Sequence, residues 1–120
     1  MNTDICEVVV TAGDAETLAK LTRTLVEERL ASCGQNIASI RSIYRWDGAV
    51  HDEPEARVGL HTRATLVPEL VERIKVLHSY EVPCIIALPV VGGNPAYIEW
   101  VSAETRDPGP SRSIAGGDEG

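Results

Sequence analysis

The sequence lacks phenylalanine altogether, and its 120 residues contain no long apolar run. No stretch approaches the roughly 20 apolar residues of a membrane-spanning helix, so the sequence predicts no membrane partner. The first residues, Met1 to Asp4, lack the positive and apolar regions of a secretory signal peptide. The sequence therefore predicts a cytoplasmic protein.

Cysteine is also scarce. Cys6, Cys33 and Cys84 are odd in number and widely spaced, with no Cys-x-x-Cys or Cys/His finger spacing. Neither a structural zinc site nor a disulfide framework is expected from this pattern. Free thiols are typical of a reducing compartment, which agrees with a cytoplasmic location.

Positive charge is limited. Eleven lysines and arginines face eighteen aspartates and glutamates, giving a formal net charge of −7. Binding to nucleic acid requires clustered basic residues, so the composition argues against a nucleic-acid partner. An acidic balance favours solubility and is compatible with cation binding.

The first half of the chain begins with a strand and a helix. Alternation over Ile5 to Ala12 predicts the first strand. Asp14 is placed to cap a helix whose apolar residues recur from Leu18 to Leu30, and Gly34 is predicted to end it.

A long hairpin is predicted next. A second strand runs from Ile37 to Trp46, and Asp47-Gly48 is a hairpin turn signal. The third strand ends near Thr62, and Pro54 predicts an edge, a bulge or a break early in it.

The second half predicts a helix, a strand and a final helix. Thr65 is placed to cap a helix that reaches Leu77. The nearly continuous apolar run from Ile85 to Val91 predicts a central strand, and Asn94-Pro95 predicts the start of a third helix. We predict a single domain over residues 1–106 and a flexible tail over 107–120.

The predicted order is β-α-β-β-α-β followed by a helix. This order is typical of an α+β, ferredoxin-like sandwich, in which helices cover one face of a four-stranded antiparallel sheet. The hairpin of the second and third strands is extended, with Tyr44 and Trp46 at its far end. We expect it to pack against another subunit in a closed cyclic oligomer.

A series of motifs over roughly residues 5 to 104 resembles the CutA divalent-cation-tolerance proteins. The motifs are Val8-Val9-Val10-Thr11-Ala12, Leu30-Ala31-Ser32-Cys33, Ser42-Ile43-Tyr44-Arg45-Trp46-Asp47-Gly48, Glu53 and Glu55 ahead of Thr62, His78-Ser79-Tyr80-Glu81-Val82-Pro83 with Ile85-Ile86-Ala87-Leu88-Pro89-Val90, and Tyr97-Ile98-Glu99-Trp100-Val101. Their order and spacing carry the resemblance.

The resemblance implies a ferredoxin-like homotrimer related to PII-type signalling trimers, with clefts between subunits. It also implies an association with copper and other divalent cations. We predict a binding or regulatory protein rather than an enzyme, because the sequence shows no set of nucleophile, base and orienting residue. We predict that the cleft is lined by Tyr44, Trp46, Glu53, Glu55, His61 and Tyr80. We predict His78 and Cys33 as metal ligands, with copper or another divalent cation as the ion.

The chain departs from the family at the positions proposed to bind copper. Val10 stands where a cysteine is proposed as a ligand, and Leu77 stands in place of the first of two adjacent histidines, leaving His78. His61 replaces the lysine usual before Thr62. We therefore expect copper binding that is weaker, or placed differently, than in members that keep the set.

Each candidate metal ligand has alternatives. His78 is a ligand, a proton donor, or a cation at a helix C-terminus. His61 is a ligand, a pH-sensitive group lining a cleft, or a solvated replacement for lysine. Cys33 is a metal ligand, a reactive thiol, or a buried structural residue.

The cleft candidates also have alternatives. Glu53 and Glu55 share a cation or act in acid–base chemistry, or they are edge-strand charges that pair with Arg41 and Arg57. Tyr44 and Trp46 pack at an interface or stack on a ligand, and Tyr80 packs or binds a ligand.

Three functions follow from these readings. The first is a trimeric binding or regulatory protein that takes a cation or small ligand. The second is an enzyme that uses His78 or Glu55 as base and Tyr80 as acid. The third is a purely structural trimeric scaffold.

Overall fold

The computed structural model describes residues 3–109, and most of the predicted tail at 107–120 lies outside this range. The elements are β1 (Ile5–Ala12), α1 (Ala15–Glu27), β2 (Cys33–Trp46), β3 (Ala49–Arg63), a 3-10 turn (Ala64–Leu66), α2 (Val67–Leu77), β4 (Ile85–Pro89) and α3 (Pro95–Glu104). All strand pairs are antiparallel, in the order β2-β3-β1-β4. The predicted ferredoxin-like α+β fold is confirmed.

The core lies between the sheet and the first two helices. Alternate residues of β1 and β3 point toward α1 and α2, which present apolar residues at helical spacing. The buried set includes Val8, Val10, Ala12, Leu18, Leu25, Val58, Leu60, Leu70 and Ile74. Complete burial of one such side chain contributes about 1.5–3 kcal/mol.

Helix α1 begins as predicted but ends earlier. The Asp14 side chain accepts a hydrogen bond from the backbone N–H of Thr17 at 3.0 Å, which confirms the cap. The helix stops at Glu27, and Arg29 takes a left-handed φ of 61°. The prediction that Gly34 ends the helix is wrong, because a residue other than glycine adopts the left-handed conformation.

Two backbone hydrogen bonds close the end of α1, and they differ from the regular hydrogen bonds within the helix. The N–H of Leu30 donates to the carbonyl of Leu25 at 3.0 Å, and that of Arg29 donates to Val26 at 3.0 Å. This pair of bonds is the Schellman arrangement, which satisfies the last carbonyls of a helix.

Residues 40–55 form a two-stranded projection, which we call the ribbon. β1 pairs with β3 only as far as Ala56, so the part of β3 before it pairs with β2 alone. The turn has positive φ at Asp47 and Gly48, 52° and 78°, as the predicted hairpin turn requires.

The predicted irregularity near Pro54 falls just beyond the ribbon. The register shifts between Ile37 and Ile40, which pair with Arg57 and Glu55. Two residues of β2 therefore lie opposite one of β3, which is a β-bulge. Pro54 itself pairs with Arg41 in the regular ribbon, where β3 has a neighbour on only one side.

Two further predictions are wrong. Thr65 does not cap α2, because a 3-10 turn precedes the helix, and no side chain caps its N-terminus. β4 is an edge strand beside β1 rather than a central strand. Its apolar residues Ile86 and Leu88 are 52% and 44% exposed, so the apolar run reflects a surface and not a covered core.

Helix α3 lies on the other side of the sheet from α1 and α2. Asn94 caps it as predicted, accepting from the N–H of Ala96 at 3.1 Å. Tyr97 contacts His61, which points away from the core residues of β3. The rest of that sheet face is open and carries the exposed Ile37, together with Ile86 and Leu88. Among residues 3–109, no helix has the length and apolar character needed to cross a membrane.

Candidate functional site

A cleft of about 610 Å³ lies where the ribbon leaves the sheet. One side comes from β2, another from Thr11 at the end of β1 and Glu55 of β3, and a third from the loop before β4. The lining residues are Thr11, Ser42, Ile43, Tyr44, Arg45, Trp46, Glu55, Tyr80, Glu81, Val82 and Cys84. Four residues of the predicted cleft, Tyr44, Trp46, Glu55 and Tyr80, lie together around this cavity.

Glu55 joins the ribbon to the loop. One carboxylate oxygen accepts from the Ser42 hydroxyl at 2.6 Å, and the other accepts from the Tyr80 hydroxyl at 3.0 Å. Tyr80 thereby anchors the loop that precedes β4 against β3.

Glu53 lies on the same side of the ribbon and has a similar partner. It accepts from the Tyr44 hydroxyl at 2.8 Å, and the Tyr44 ring stacks on His51 with centroids 5.2 Å apart. Glu53 itself is absent from the cleft lining but adjoins it through Tyr44.

The carboxylates of Glu53 and Glu55 are bound by hydroxyl groups and not by cations. Arg41, one of the predicted partners, forms a two-bond ion pair with Asp52 instead, at 2.8 and 2.7 Å. Over residues 3–109, neither glutamate makes an ion pair with lysine, arginine or histidine. Glu81 and Arg45 also line the cleft, so acidic side chains outnumber basic ones in and beside it, and a bound cation can neutralise the excess negative charge.

The cleft tyrosines are held in the neutral form. Burial and the bond to Glu55 raise the pKa of Tyr80 to about 12. The bond to Glu53 raises the pKa of Tyr44 above its ordinary value. Both hydroxyls are therefore donors at neutral pH, aimed at carboxylates.

His78 has both ring nitrogens engaged by the backbone. Nε2 lies 2.7 Å from the carbonyl of Thr11, which can only accept, so Nε2 carries the proton. Nδ1 accepts from the N–H of Tyr80 at 3.0 Å. The ring fixes the start of the loop, and a metal ion would have to displace one of these bonds.

His61 and Cys33 lie at a second place on the sheet. They pair across β2 and β3, and His61 also lies opposite Glu7 of β1. Glu7 is four residues from Thr11 of the cleft, or about 13 Å along the strand. His61 does not line the cleft, and Cys33 contacts His61 and Tyr97 rather than His78.

Over the described part of the chain, no three histidine, cysteine or acidic side chains form a group that could hold a metal ion. One subunit therefore does not assemble a site from His78 and Cys33 together. Any ion in the cleft would need ligands of another kind or from another subunit.

Several residues of the site were not predicted from the sequence. Ser42 alternates with Tyr44 along β2, and this alternation is the signal that could have identified it. Thr11 and Cys84 come from strand ends that only the folded chain brings together, and no sequence pattern marks them. The same holds for Glu7 and Tyr97 beside His61.

Comparison with known protein families gives a match over most of the chain. A family described as CutA1 divalent ion tolerance protein matches residues 6–104, nearly the whole described domain.

Individual relatives agree. A divalent-cation tolerance protein CutA from Thermus thermophilus is 40% identical over 98 residues, covering 82% of this chain and 95% of the relative. A chloroplastic protein CutA from Arabidopsis thaliana is 38% identical over 100 residues, covering 83% of this chain. The chain spans 55% of that plant relative's length.

A solved structure shows the same fold. The crystal structure of CutA1 from Oryza sativa superposes with a TM-score of 0.84 at 36% identity, covering 88% of this chain and 97% of that one.

Proposed function

The chain belongs to the CutA1 divalent ion tolerance family, and we propose that it is a homotrimeric binding protein that takes a divalent cation in clefts between its subunits. The observation that carries the proposal is the pair of carboxylates, Glu53 and Glu55, on one side of an exposed ribbon with no cationic partner among residues 3–109. The rest of the cleft lining is mixed, with aromatic, aliphatic and polar side chains and one residue of each charge, Glu81 and Arg45.

The ribbon and the open sheet face support association. Trp46, Val50 and Ile43 of the ribbon are 50%, 63% and 62% exposed, and Ile86 and Leu88 add apolar surface on the open face. Exposed apolar groups on this scale mark interaction surfaces. A cyclic assembly covers the same surface in every copy.

The donors of the cleft favour a cation that prefers oxygen. Carboxylate and hydroxyl oxygens suit Mn²⁺ and similar hard ions, whereas copper favours nitrogen and sulfur. One subunit offers the two carboxylates of the ribbon, and Glu81 also lines the cleft. The remaining ligands are expected from a neighbouring subunit or from water. The predicted association with copper stays a prediction for this cleft.

The proposal contains no catalytic step. The enzymatic alternative uses His78 or Glu55 as base and Tyr80 as acid. Both ring nitrogens of His78 are engaged by backbone groups, and the Tyr80 hydroxyl donates to Glu55 itself. A cytoplasmic location is part of the proposal, supported by the three free thiols.

Two measurements test the proposal. Light scattering on the purified protein is expected to give the mass of three chains. Calorimetry with Mn²⁺ is expected to show saturable heat, and Glu55→Gln and Glu53→Gln are each expected to weaken binding about tenfold or more, or about 1.4 kcal/mol.

Glu27→Gln is the matched control, because Glu27 is an exposed carboxylate on α1. It is expected to leave Mn²⁺ binding unchanged. A monomer in solution would contradict the assembly. A trimer without saturable heat would favour the structural scaffold.

A further inference from the structure

Four polar side chains meet at the sheet face opposite α1 and α2, away from the cleft. Glu7, Cys33 and His61 come from three neighbouring strands, and Tyr97 comes from α3. The His61 side chain is only 15% exposed, whereas that of Glu7 is 35% exposed, so the imidazole is enclosed and the carboxylate is partly open to solvent. None of these four residues lines the cleft.

The partners of His61 fix its ring. Nε2 lies 3.0 Å from a carboxylate oxygen of Glu7, which in the ionised form can only accept, so Nε2 carries the proton. Nδ1 is then the acceptor nitrogen: the Tyr97 hydroxyl donates to it at 2.5 Å, and the Cys33 sulfur lies 3.7 Å away. An ion bound at Nδ1 therefore replaces the bond from Tyr97. A carboxylate that orients an imidazole in this way is the usual outer partner of a metal-binding histidine.

The separation of sulfur and nitrogen suits a shared ion. Bonds of about 2.3 Å to sulfur and about 2.0–2.1 Å to nitrogen, at a tetrahedral angle, place the two donors about 3.5 Å apart. Cys33 Sγ and His61 Nδ1 are 3.7 Å apart. The Tyr97 hydroxyl lies 3.3 Å from the sulfur and 2.5 Å from the nitrogen, so it adjoins both donors.

We propose that Cys33 Sγ and His61 Nδ1 bind a thiophilic transition-metal cation, with Glu7 as the outer partner that orients His61. Thiolate and imidazole select zinc and copper(I) over hard ions. Cys33 loses its proton to solvent on binding, so the negative charges of the thiolate and of Glu7 balance a divalent ion. With two protein donors, the remaining positions are left to water or to Tyr97, and the ion is exchangeable.

This site goes beyond the proposed cleft function and does not depend on it. The cleft offers oxygen donors, whereas this cluster offers sulfur and nitrogen at the other end of β1. The cleft also holds the Cys84 thiol, so a thiolate signal reports this site when it is lost in Cys33→Ser and kept in Cys84→Ser.

The test is a titration of the reduced full-length protein with Co²⁺ under anaerobic conditions. Co²⁺ bound to a thiolate gives an intense near-ultraviolet charge-transfer absorption, which we expect to saturate at one ion per chain. Cys33→Ser is expected to abolish the absorption. Glu7→Gln is expected to weaken Co²⁺ binding about 10–100-fold, as loss of an outer partner does.

Matched controls come from the other thiols and imidazoles. Cys84 is exposed in the cleft and His51 lies on the ribbon, so Cys84→Ser and His51→Gln are expected to leave the Co²⁺ absorption unchanged. Absorption that survives Cys33→Ser, that disappears in Cys84→Ser, or that never develops in the unaltered protein would overturn the site.

A second measurement needs no altered chain. Zn²⁺ is expected to slow alkylation of Cys33 by iodoacetamide at least about tenfold while leaving that of Cys84 unchanged, as followed by peptide mass spectrometry. Equal alkylation of Cys33 with and without Zn²⁺ would overturn the proposal. If instead the proposed cation site in the cleft is wrong, calorimetry with Mn²⁺ shows no saturable heat, and the Co²⁺ absorption remains.

Discussion

Gly34 is required by close packing and not by its backbone conformation. It lies in β2 with its α-carbon facing α1, and a Cβ built on it would lie 2.4 Å from a Thr22 methyl group and 3.0 Å from Leu60. Contacts this short force the helix and the strand apart. A glycine here therefore sets the distance between α1 and the sheet.

We expect Gly34→Ala to lower the free energy of unfolding by about 1–3 kcal/mol, the usual cost of overpacking a core. Urea unfolding at fixed protein concentration measures it. Gly92→Ala is the control, because a Cβ at Gly92 meets nothing within 4 Å, and a change within about 0.5 kcal/mol is expected there. Equal effects of the two substitutions would contradict the packing role.

Two tyrosines make the free energy of unfolding depend on pH in the alkaline range. Burial raises the pKa of Tyr80 to about 12, and burial also raises that of Tyr97 to about 12, each with help from a bonded neighbour. The unfolded chain titrates near 10. The folded state thus holds these protons more tightly, so their contribution is full below about pH 10 and is lost as pH rises through about 12.

Tyr80→Phe and Tyr97→Phe are each expected to flatten the fall in unfolding free energy between about pH 10 and 12. Urea unfolding across that range measures the slope, and phenolate absorbance follows the titration itself. A tyrosine titration of the folded protein centred near 10 would contradict the raised pKa values.

The residues of the candidate site were predictable where they follow a strand pattern. Glu53 and Glu55 are two apart in β3 and lie on one side of the ribbon, as alternation requires. The role of His78 was not predictable, because its partner Thr11 is distant in sequence. The meeting of Glu7, Cys33, His61 and Tyr97 depends on strand register, which no local pattern reveals.

The sequence predicted which helices and strands exist better than it predicted where each of them ends. The bounds of β1 and the cap of α3 are confirmed because alternation and Asn-Pro are local signals. The end of α1 is set by tertiary contacts of Arg29, and the edge position of β4 depends on its pairing with β1. Such contacts are invisible in a single segment.

Arg29 joins the end of α1 to the end of α3. Its guanidinium donates to the carbonyls of Ala103 and Glu104 at 3.0 and 3.2 Å, and its own carbonyl accepts from the N–H of Arg106. These bonds satisfy the last carbonyls of α3. They also compensate for the left-handed φ, which disfavours any residue but glycine.

Arg29→Ala is expected to destabilise the protein by about 1–2 kcal/mol, because it loses the side-chain bonds and keeps the unfavourable φ. Arg29→Gly loses the same bonds but relieves the backbone, so we expect it to be more stable than Arg29→Ala by about 1 kcal/mol. Thermal unfolding of the three proteins gives the order. A glycine variant no more stable than the alanine variant would show that the φ carries no strain.

For the whole molecule, the two faces of the sheet differ in what covers them. The face toward α1 and α2 is sealed by the core, whereas the other face is covered only at one end, by α3. Ile37, Ile86 and Leu88 stay exposed on it, and the ribbon extends beyond the sheet. Association between copies is therefore expected to contribute to stability, and not only to form a binding site.

Association of this kind makes the melting temperature depend on protein concentration. We expect the melting temperature of the unaltered protein to rise with concentration, and that of Ile86→Glu to be lower and independent of it, because a charge on the open face prevents its burial. Val76→Glu is the matched control: Val76 is 74% exposed on α2, which packs on the other face. It is expected to keep both the mass in light scattering and the concentration dependence. If Val76→Glu dissociates the assembly and Ile86→Glu does not, the subunits associate through their helices and not through the open sheet face.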